Sequence, residues 1–463
     1  MKVTMYVLND VTRDSRVLRE AASLAAAGHE VTVIGTTRPD EATGSREVRD
    51  GFSLIRVAMT RHWPLWYVWL QHPWRLRRRV ADDVRAAGRG GPRAAGRALL
   101  AAAAAIVSLP WVLIRGAWHL VTHALLGRPV RRNWLDYVLW WRSFVLAWSR
   151  AALAVAPPSD IHHASDMETL PTAVEAAHRD GGQVVYDSHE IFLEFGEHLR
   201  QPAWLRQVIG RWERRLARRS AAVVTVNEAC AAELTRRLQP RRIVVVHNCP
   251  PRWAPPDPPT GQLRRAAGID DGAPIVLCHG GFQANRGLEQ TAAALAQPGL
   301  ERSHLVFLGY RTAILEPIVA AFPNPGRIHV LPAVPPEELL GWVVGADVDA
   351  IVFQPTELNN VISTPNKLFE SFAAGVPVVS SDFPIRRQIV IDDPDGPLGA
   401  VCDPTDPIAI AAAIRSIVDL EPDARADLRR RCLEAAHARW NWETESARLI
   451  SLYADLAREA SGV

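Results

Sequence analysis

The chain has 51 arginines but two lysines, and one of these, Lys367, stands in the stretch STPNKLFESFAAGVPVVSSDFP. Thr364 can cap a helix, Pro365 suits its first position and Gly375 can end it, which predicts a helix over residues 365–374. Lys367 then lies in the first turn, where the helix dipole disfavours a cation. A bound anion such as phosphate would reverse that balance, because helix N-termini hold anions through free N–H groups.

Glu370 follows Lys367 by three residues and shares its helix face. One interpretation is a solvated Lys–Glu pair on a surface helix. The other is a phosphate-binding cation with a carboxylate one turn further on. Beyond the helix, residues 376–381 are short, β-branched and uncharged, which predicts a buried strand.

Length and composition indicate a globular protein with more than one domain. A chain of 463 residues exceeds one ordinary core, so we expect two or three domains, and 48% hydrophobic residues indicate a globular protein. The cysteines show no CxxC spacing, which favours buried thiols in a reducing compartment. They are Cys230, Cys249, Cys278, Cys402 and Cys432. The apolar start KVTMYVL is short and closed by Asp10, so it predicts a first strand and not a signal peptide.

Short apolar runs alternate with helical stretches along most of the chain, which is typical of α/β domains with parallel sheets. A stretch with six prolines in 11 residues, CPPRWAPPDPP, divides two such series and predicts a stiff linker. We therefore expect a doubly wound domain over 1–250, a linker over 251–261 and a second domain over 262–430. The amphipathic segment 431–463 is expected to pack back across the domains.

Residues 61–150 break this rhythm. They hold 15 arginines, three acids and ten of the 16 tryptophans, for a local net charge of +12. We favour a helical insertion at a membrane surface, with arginines on anionic headgroups and tryptophans at the interface. A helical insertion packed on the protein itself is the alternative. A helix that spans the membrane within 98–126 is a third alternative. It is the least favoured, because the uncharged run there is at the short limit for a span and contains Pro110.

Four stretches together resemble the retaining glycosyltransferases of family four (glycosyl transferases group 1), which have the GT-B fold. They are TPNKLFESFAAGVPVVSSDFP, YDSHE at 186–190, GGFQANRGLEQ at 280–290 and DSRVLREAASLAAAGHEVTVIG. The resemblance implies two Rossmann-like domains facing a cleft, with the nucleotide sugar on the second domain and the acceptor on the first. It also implies front-side attack, with the leaving phosphate taking the acceptor proton.

The resemblance assigns four catalytic positions. Arg286 and Lys367 would stabilise the leaving diphosphate. Glu370 would accept hydrogen bonds from the ribose hydroxyls, and His189 would contact the donor sugar. An ordinary loop histidine remains the alternative for His189. Further substrate-binding residues implied by the motifs are Gly280, Gly281, Asn285, Asn360, Ser363, Thr364, Pro365, Asn366, Asp187 and Glu190. Asp187 and Glu190 can equally be turn and capping residues.

The chain also departs from the family pattern. Ile362 stands where the family often has the first glutamate of a Glu-x7-Glu pair, and Asn359, Asn360 or backbone N–H groups can substitute for it. Gly281 stands where an arginine is usual. The segment NDVTRDSR stands where the family has a glycine-rich loop. Asp14 and Arg16 can line the cleft there, but we expect Asp14 to cap the first helix and Arg16 to be a surface cation.

The sequence thus predicts a retaining glycosyltransferase with a nucleotide sugar donor and a glycan or lipid-linked acceptor, peripheral on the inner face of the cell membrane. No metal is expected, because protein cations do that work in the family and the adjacent His162 and His163 point to opposite faces of a strand. No nucleic-acid partner is expected. The alternatives are a catalytically silent GT-B protein that binds a partner or a membrane, and a nucleotide-sugar 2-epimerase.

Overall fold

The computed structural model describes residues 1–12, 14–38, 44–58, 110, 134–257, 261–270 and 272–461. The chain divides into two compact units. The first unit comprises Met1–Arg38, Ser45–Arg56 and Ala156–Val463; the second comprises Pro39–Gly44 and Val57–Val155. Most of the insertion expected at 61–150, including the possible span at 98–126 apart from Pro110, lies outside the described residues.

The first sheet belongs to the N-terminal domain of the first unit. Among the described residues it has eight strands in the order β3-β4-β2-β1-β5-β6-β7-β8. From β2 through β1, β5, β6 and β7 to β8 the neighbouring strands pair in parallel, whereas β3 and β4 form an antiparallel ladder. Its strands are β1 (Lys2–Tyr6), β2 (Glu30–Thr36), β3 (Ser45–Arg49), β4 (Phe52–Val57), β5 (Ile161–Ser165), β6 (Gln183–Ser188), β7 (Ala222–Thr225) and β8 (Ile243–Val245).

The second sheet follows the proline-rich segment. The described residues give it six strands, all parallel, in the order β11-β10-β9-β12-β13-β14. Its strands are β9 (Ile275–Gly281), β10 (His304–Tyr310), β11 (Ile328–Pro332), β12 (Val348–Ile351), β13 (Val378–Ser381) and β14 (Gly399–Cys402). The expected pair of doubly wound α/β domains is confirmed. In such sheets ligands bind beyond the carboxyl ends of the strands.

Helices connect the strands of both sheets. In the N-terminal half they are α1 (Ser15–Ala26), α2 (Trp134–Trp140), α3 (Leu146–Val155), α4 (Leu170–Asp180), α5 (Gly196–Leu199), α6 (Ala203–Ala217) and α7 (Glu228–Leu238). In the C-terminal half they are α8 (Gln262–Ala267), α9 (Leu288–Leu295), α10 (Glu316–Ala321), α11 (Leu339–Val343), α12 (Leu358–Ile362), α13 (Asn366–Ala373), α14 (Pro384–Val390), α15 (Pro407–Val418), α16 (Pro422–Ala438) and α17 (Trp442–Ser461).

The chain's last helix returns to the first domain. Trp442, Leu449, Leu452 and Tyr453 of α17 are buried in the same apolar cluster as the strands of the first sheet. The indole nitrogen of Trp442 donates to Ser23 Oγ at 2.8 Å. The preceding helix α16 instead packs its buried face into the C-terminal domain. Consecutive helices thus serve different domains.

Helix α13 begins one residue later than its sequence predicts. Pro365 is the residue before the helix, in extended conformation, and the expected cap by Thr364 is wrong. The Thr364 hydroxyl instead accepts from Asn227 Nδ2 at 3.2 Å. The helix ends as expected, since Gly375 adopts the left-handed conformation that suits a C-terminus.

In the second unit, α2 and α3 are joined by a π-helical turn, Trp141–Val145. Trp141, Val145 and Trp148 are buried, whereas Trp134 and Leu146 are exposed. A search of the described residues finds no helix both long and apolar enough to cross a bilayer.

Candidate active site

Three cations surround one aromatic ring at the carboxyl edge of the second sheet. The Arg286 guanidinium lies 3.9 Å from the Phe353 ring centroid, that of Arg386 at 4.5 Å and the Lys367 ammonium at 5.8 Å. All three fall within the range of cation–π attraction. Burial lowers the pKa of Lys367 and of Arg286, which means that each positive charge is partly stripped of water. Such a cluster favours an added anion.

Lys367 reaches the glycine-rich end of β9 from the mouth of α13. A side chain at Gly280 would meet Lys367 Nζ at 3.9 Å, so the bare glycine leaves room above it. Gly280 has φ of +101°, a conformation that glycine tolerates. Asn285, in the loop after β9, has φ of +71°. Its carbonyl accepts from Gln354 N–H at 2.9 Å and fastens the loop to the end of β12.

Tyr310 lies against the position where the family usually has an arginine. A Cβ on Gly281 would lie 2.7 Å from the Tyr310 hydroxyl, so the tyrosine ring fills the space that a side chain there would need. Tyr310 ends β10 and is 48% exposed. A side chain at Gly281 would therefore require the Tyr310 ring to move. The positive charges at this edge come from Arg286, Lys367 and Arg386.

Arg386 is fully buried and shapes the loop before α13. Its guanidinium donates to the carbonyl oxygens of Asn360 at 2.9 Å, Ser363 at 3.1 Å and Ile351 at 3.3 Å. It also reaches Ser363 Oγ at 3.3 Å. Burial and the neighbouring Arg286 lower the pKa of Arg386 to about 9. Arg386 thus fixes the path of the chain that leads to the helix mouth.

The carboxylate of Glu370 is contacted by a buried histidine of β9. His279 Nε2 lies 3.0 Å from Glu370 Oε2, and His279 Nδ1 lies 3.2 Å from Asp349 Oδ2. Ser371 Oγ donates to the same Asp349 oxygen at 2.8 Å. Burial opposes charge on His279, but Asp349 and Glu370 outweigh it and raise its pKa to about 9. The imidazole is therefore a cation at neutral pH, bridging two carboxylates.

On the first sheet, His189 closes a chain of buried charges. Its Nε2 lies 2.8 Å from Asp187 Oδ2, and Arg16 grips the same carboxylate through Nε at 2.9 Å and Nη2 at 3.0 Å. Burial would raise the pKa of Asp187, but Arg16 and His189 hold it well below its usual range. Burial would lower the pKa of His189, yet Asp187 and Asp166 raise it well above the ordinary value.

The expectation that Arg16 is a surface cation is wrong. Its side chain is 3% exposed, and its Nε also lies 3.0 Å from Glu20. Asp14 does cap α1, accepting from Val17 N–H at 3.2 Å, and this cap turns Arg16 inward. Ligand atoms of Glu20, His163 and Asp187 lie within 4.8 Å of one another, a spacing a metal could use. Here Arg16 supplies the positive charge between the two acids.

The adjacent histidines of β5 serve opposite faces of the sheet. His162 Nδ1 pairs with the Tyr6 hydroxyl at 3.0 Å, while His163 Nδ1 pairs with the Tyr453 hydroxyl at 2.7 Å. Tyr453 belongs to α17, so the last helix also supports the charged network beneath His189.

The loops bearing the two halves of the site are joined by direct hydrogen bonds. Asn359 Oδ1 accepts from Ile191 N–H at 2.9 Å, and Asn359 Nδ2 donates to the Ile191 carbonyl at 3.1 Å. Asn227, which caps α7, donates to the Ile362 carbonyl at 3.0 Å. Asn248 donates to Asn366 Oδ1 at 2.9 Å, at the first residue of α13.

These bonds decide what the asparagines can do. The Asn359 amide is committed to Ile191, and Asn360 Nδ2 donates to Thr356 Oγ1 at 3.3 Å. Ser363 is committed to Arg386. Glu190 is exposed beside the loop and lies close enough to Arg286 to interact with it electrostatically.

A cavity of about 200 Å³ opens beside His189. Burial and the nearby Asp166 raise the pKa of Glu168, in its lining, to about 8. The remaining lining residues are Asp166, Met167, Tyr186, His189, Glu190, Phe192 and Phe195. A group held there would meet carboxyl, imidazole and aromatic surfaces.

Sequence reasoning missed His279, Phe353 and Arg386, and it placed Arg16 on the surface. His279 carried a usable signal, because a histidine interrupts an otherwise apolar strand immediately before two glycines. Arg386 carried none, since its neighbour Arg387 has the same side chain in the same short helix but bonds the exposed Asp382.

Two family models and one curated relative identify the chain as similar to glycosyltransferases. The family model described as "Glycosyl transferases group 1" matches residues 273–419, and that described as "Glycosyltransferase Family 4" matches residues 115–249. A D-inositol 3-phosphate glycosyltransferase from Xylanimonas cellulosilytica is 28% identical over 267 residues. That match covers 54% of this chain and 60% of the relative, so the chain spans less than two thirds of the curated relative's length.

Solved structures share the fold at low identity. A sucrose-phosphate synthase from Thermosynechococcus elongatus superposes with a TM-score of 0.65 at 16% identity, covering 99% of this chain and 100% of that one. A UDP-forming α,α-trehalose-phosphate synthase from Burkholderia vietnamiensis gives 0.62 at 12% identity, covering 100% and 98%. Fold and site thus define a protein of the GT-B class. Residues 115–249 and 273–419 match two different glycosyltransferase family models, so the chain is similar to the family-four glycosyltransferases, glycosyl transferases group 1.

Proposed function

We propose that this protein transfers a sugar from a nucleotide-diphosphate sugar to an acceptor hydroxyl, with retention of anomeric configuration. The observation that carries the proposal is the placement of Arg286 and Lys367 around Phe353, with Glu370 one turn further along α13. Two partly desolvated cations suit a diphosphate, and a carboxylate one helical turn beyond them suits the ribose diol.

The reaction breaks the bond between the anomeric carbon and the diphosphate oxygen and forms the bond to the acceptor oxygen on the same face. The acceptor proton passes to the leaving phosphate. Arg286 and Lys367 stabilise the charge that develops on that phosphate. His189, whose pKa Asp187 raises, lies on the N-terminal side and is proposed to contact the donor sugar.

We further propose that transfer needs no metal ion, because the two cations supply the charge that Mg²⁺ supplies in other phosphate sites. Turnover should be unchanged by prior treatment with a chelator. Loss of turnover on chelation and recovery with Mg²⁺ would contradict this part of the proposal.

The test of the donor site is a thermal-shift and calorimetry panel of UDP, GDP, ADP and their sugars. UDP is the first probe, since the Burkholderia vietnamiensis neighbour is named as UDP-forming. One nucleotide should bind selectively to the wild type, and Glu370→Ala should lose that binding and most turnover. Glu289→Ala, an exposed glutamate early in α9, is the matched control and should behave as wild type. Near wild-type turnover in Glu370→Ala would count against the site.

A catalytically silent GT-B protein is the second candidate. Ile362 replaces the first family glutamate, and the Asn359 amide that could substitute for it is bonded at both polar atoms to Ile191. Failure of every nucleotide to bind would favour this candidate. Conversion of a sugar nucleotide into an epimer without any acceptor would instead indicate 2-epimerase chemistry.

For the acceptor, we propose a membrane-bound or lipid-linked glycan, reached while the protein lies on the inner face of the cell membrane. The proposal is supported by the +12 charge and ten tryptophans of residues 61–150 and by the exposed Trp134 and Leu146. The full chain should float with vesicles containing anionic lipid, and salt should weaken that binding. Absence of vesicle binding would contradict it. D-inositol 3-phosphate belongs in the acceptor panel because the curated relative carries its name.

A further inference from the structure

The solvated Lys367–Glu370 pair, one of the two interpretations of this helix face, does not form. In the described part of the chain, no ion pair within 4.0 Å joins Lys367 to a carboxylate. Glu370 instead directs Oε2 to His279 Nε2 at 3.0 Å, and its side chain remains 22% exposed. The carboxylate is therefore held by β9 behind the helix, while the ammonium three residues earlier stays over Gly280 and Phe353.

His279 can do this because a second carboxylate holds it in turn. Asp349 is fully buried on β12 and lies 3.2 Å from His279 Nδ1. With Ser371 donating to Asp349, the chain of contacts runs Ser371, Asp349, His279, Glu370. Burying an imidazolium and a carboxylate in a sheet is unfavourable unless every partner is supplied. An apolar residue would fill this strand position more simply, so the charged arrangement calls for a functional explanation.

We propose that His279 is a positioning residue that keeps Glu370 away from Lys367, so that the carboxylate serves the ribose and the ammonium serves the diphosphate of one nucleotide. The inference rests on the proposed function for its ligand. Its physical content is separate: besides His279, Lys367 and Arg19 both interact electrostatically with Glu370. Arg19 already donates to Asn248 Oδ1 and the Cys249 carbonyl. Without His279, Glu370 would therefore turn to Lys367 and neutralise it.

The test compares three ligands by calorimetry: uridine 5′-diphosphate, its 2′,3′-dideoxy analogue and inorganic pyrophosphate. If another base binds better to the wild type, the corresponding pair replaces the uridine compounds. In the wild type, removal of both hydroxyls should weaken binding by about tenfold or more, because the Glu370 carboxylate would lose two charge-assisted hydrogen bonds. In His279→Leu that ratio should fall to about threefold or less, because Glu370 no longer faces the ribose.

Pyrophosphate gives the discriminating result. His279→Leu should bind pyrophosphate about tenfold more weakly than the wild type, since Glu370 neutralises Lys367. The double variant His279→Leu/Glu370→Gln should recover wild-type pyrophosphate affinity, because an amide cannot neutralise the lysine. A role for His279 in packing alone would not produce this recovery. His279→Gln keeps a hydrogen-bond donor and carries the comparison if the leucine variant does not fold.

The outcomes separate the two claims. If His279→Leu and His279→Gln both retain the wild-type hydroxyl ratio and pyrophosphate affinity, the inference is overturned and the proposed function stands. If the wild type binds no nucleoside diphosphate, the proposed function fails. The pyrophosphate comparison then still decides whether His279 keeps Glu370 from Lys367.

Discussion

Asn359 holds the backbone of Ile191 at both polar atoms, accepting from its N–H at 2.9 Å and donating to its carbonyl at 3.1 Å. These residues lie 168 positions apart, one in the loop after β6 and the other on α12. The bond pair fastens the loop that bears His189 to the loop that precedes α13. Family resemblance pointed to Asn359 as a stand-in for a sugar-binding glutamate, but its amide is used to close the site.

Replacing Asn359 should therefore affect assembly of the site more than stability of either domain. We expect Asn359→Ala to lower kcat/KM by about 10- to 100-fold, because two hydrogen bonds to buried backbone groups are lost. The melting temperature should change little. Steady-state kinetics and thermal unfolding check this, with the exposed Asn324→Ala as control. Unchanged kcat/KM in Asn359→Ala would show that the bond pair is incidental.

Arg386 and Arg387 form a natural matched pair, adjacent in α14 but in opposite environments. Arg386→Met should destabilise the protein by about 2–4 kcal/mol, because three carbonyl oxygens lose their donor. Nucleotide binding should weaken with it, since the loop before α13 loses its support. Arg387→Met removes an exposed pair with Asp382 and should leave both properties close to wild type. Urea unfolding and calorimetry measure the difference, and equal effects from the two variants would contradict the assignment.

Arg16 should be one of the most sensitive positions in the N-terminal domain. Arg16→Met leaves Asp187 and Glu20 buried without their cation, which should lower the free energy of unfolding by about 3–5 kcal/mol. The ring of His189 should lose its orientation, because Asp187 would turn or take up a proton. Chemical unfolding tests the first effect, and NMR titration of the His189 ring tests the second. Arg46→Met, at an exposed position on β3, is the control and should change the free energy of unfolding little. An equally small effect of Arg16→Met would contradict the proposed role of Arg16 in the buried network.

His279 should make stability depend on pH in a defined direction. Its pKa is raised from 6.5 to about 9 in the folded protein, so the folded state binds its proton more tightly than the unfolded state. The resulting stabilisation is fully present below about pH 6.5 and is lost as pH rises through about 9, up to about 3 kcal/mol in all.

Unfolding of wild type and His279→Leu should be compared from pH 6 to pH 10. The wild type should lose its advantage across that range, leaving a difference curve that falls with pH. His178→Gln, at an exposed position on α4, should parallel the wild type throughout. A difference curve that is flat, or that rises with pH, would contradict a charged His279.

The sequence predicted the local structure around α13 well because local signals determine it. Proline, glycine and the spacing of Lys367 and Glu370 act over a few residues, and the helix lies within one residue of its expected bounds. Alternation of apolar strands with helices likewise predicted two parallel sheets, since each strand must be covered on both faces.

Side-chain partners across long sequence distances escaped prediction for the same physical reason. Arg16 finds Asp187 171 positions away, and His279 finds Glu370 91 positions away. No periodicity encodes such pairs, because they depend on how the sheets bring strand ends together. Whether a cation is buried also depends on tertiary context, as Arg386 and Arg387 show.

The return of α17 to the first sheet bears on how the protein can be made. Trp442, Leu449, Leu452 and Tyr453, with Leu456, complete a core whose other members lie between residues 3 and 246. During synthesis the core of the N-terminal domain therefore stays incomplete, with part of its apolar surface exposed, until α17 has left the ribosome. Expression of residues 1–250 alone should give an aggregation-prone product. Adding the α17 segment as a separate peptide should restore its solubility. Deleting α17 from the full chain should destabilise the N-terminal domain, although the deletion lies at the other end of the sequence.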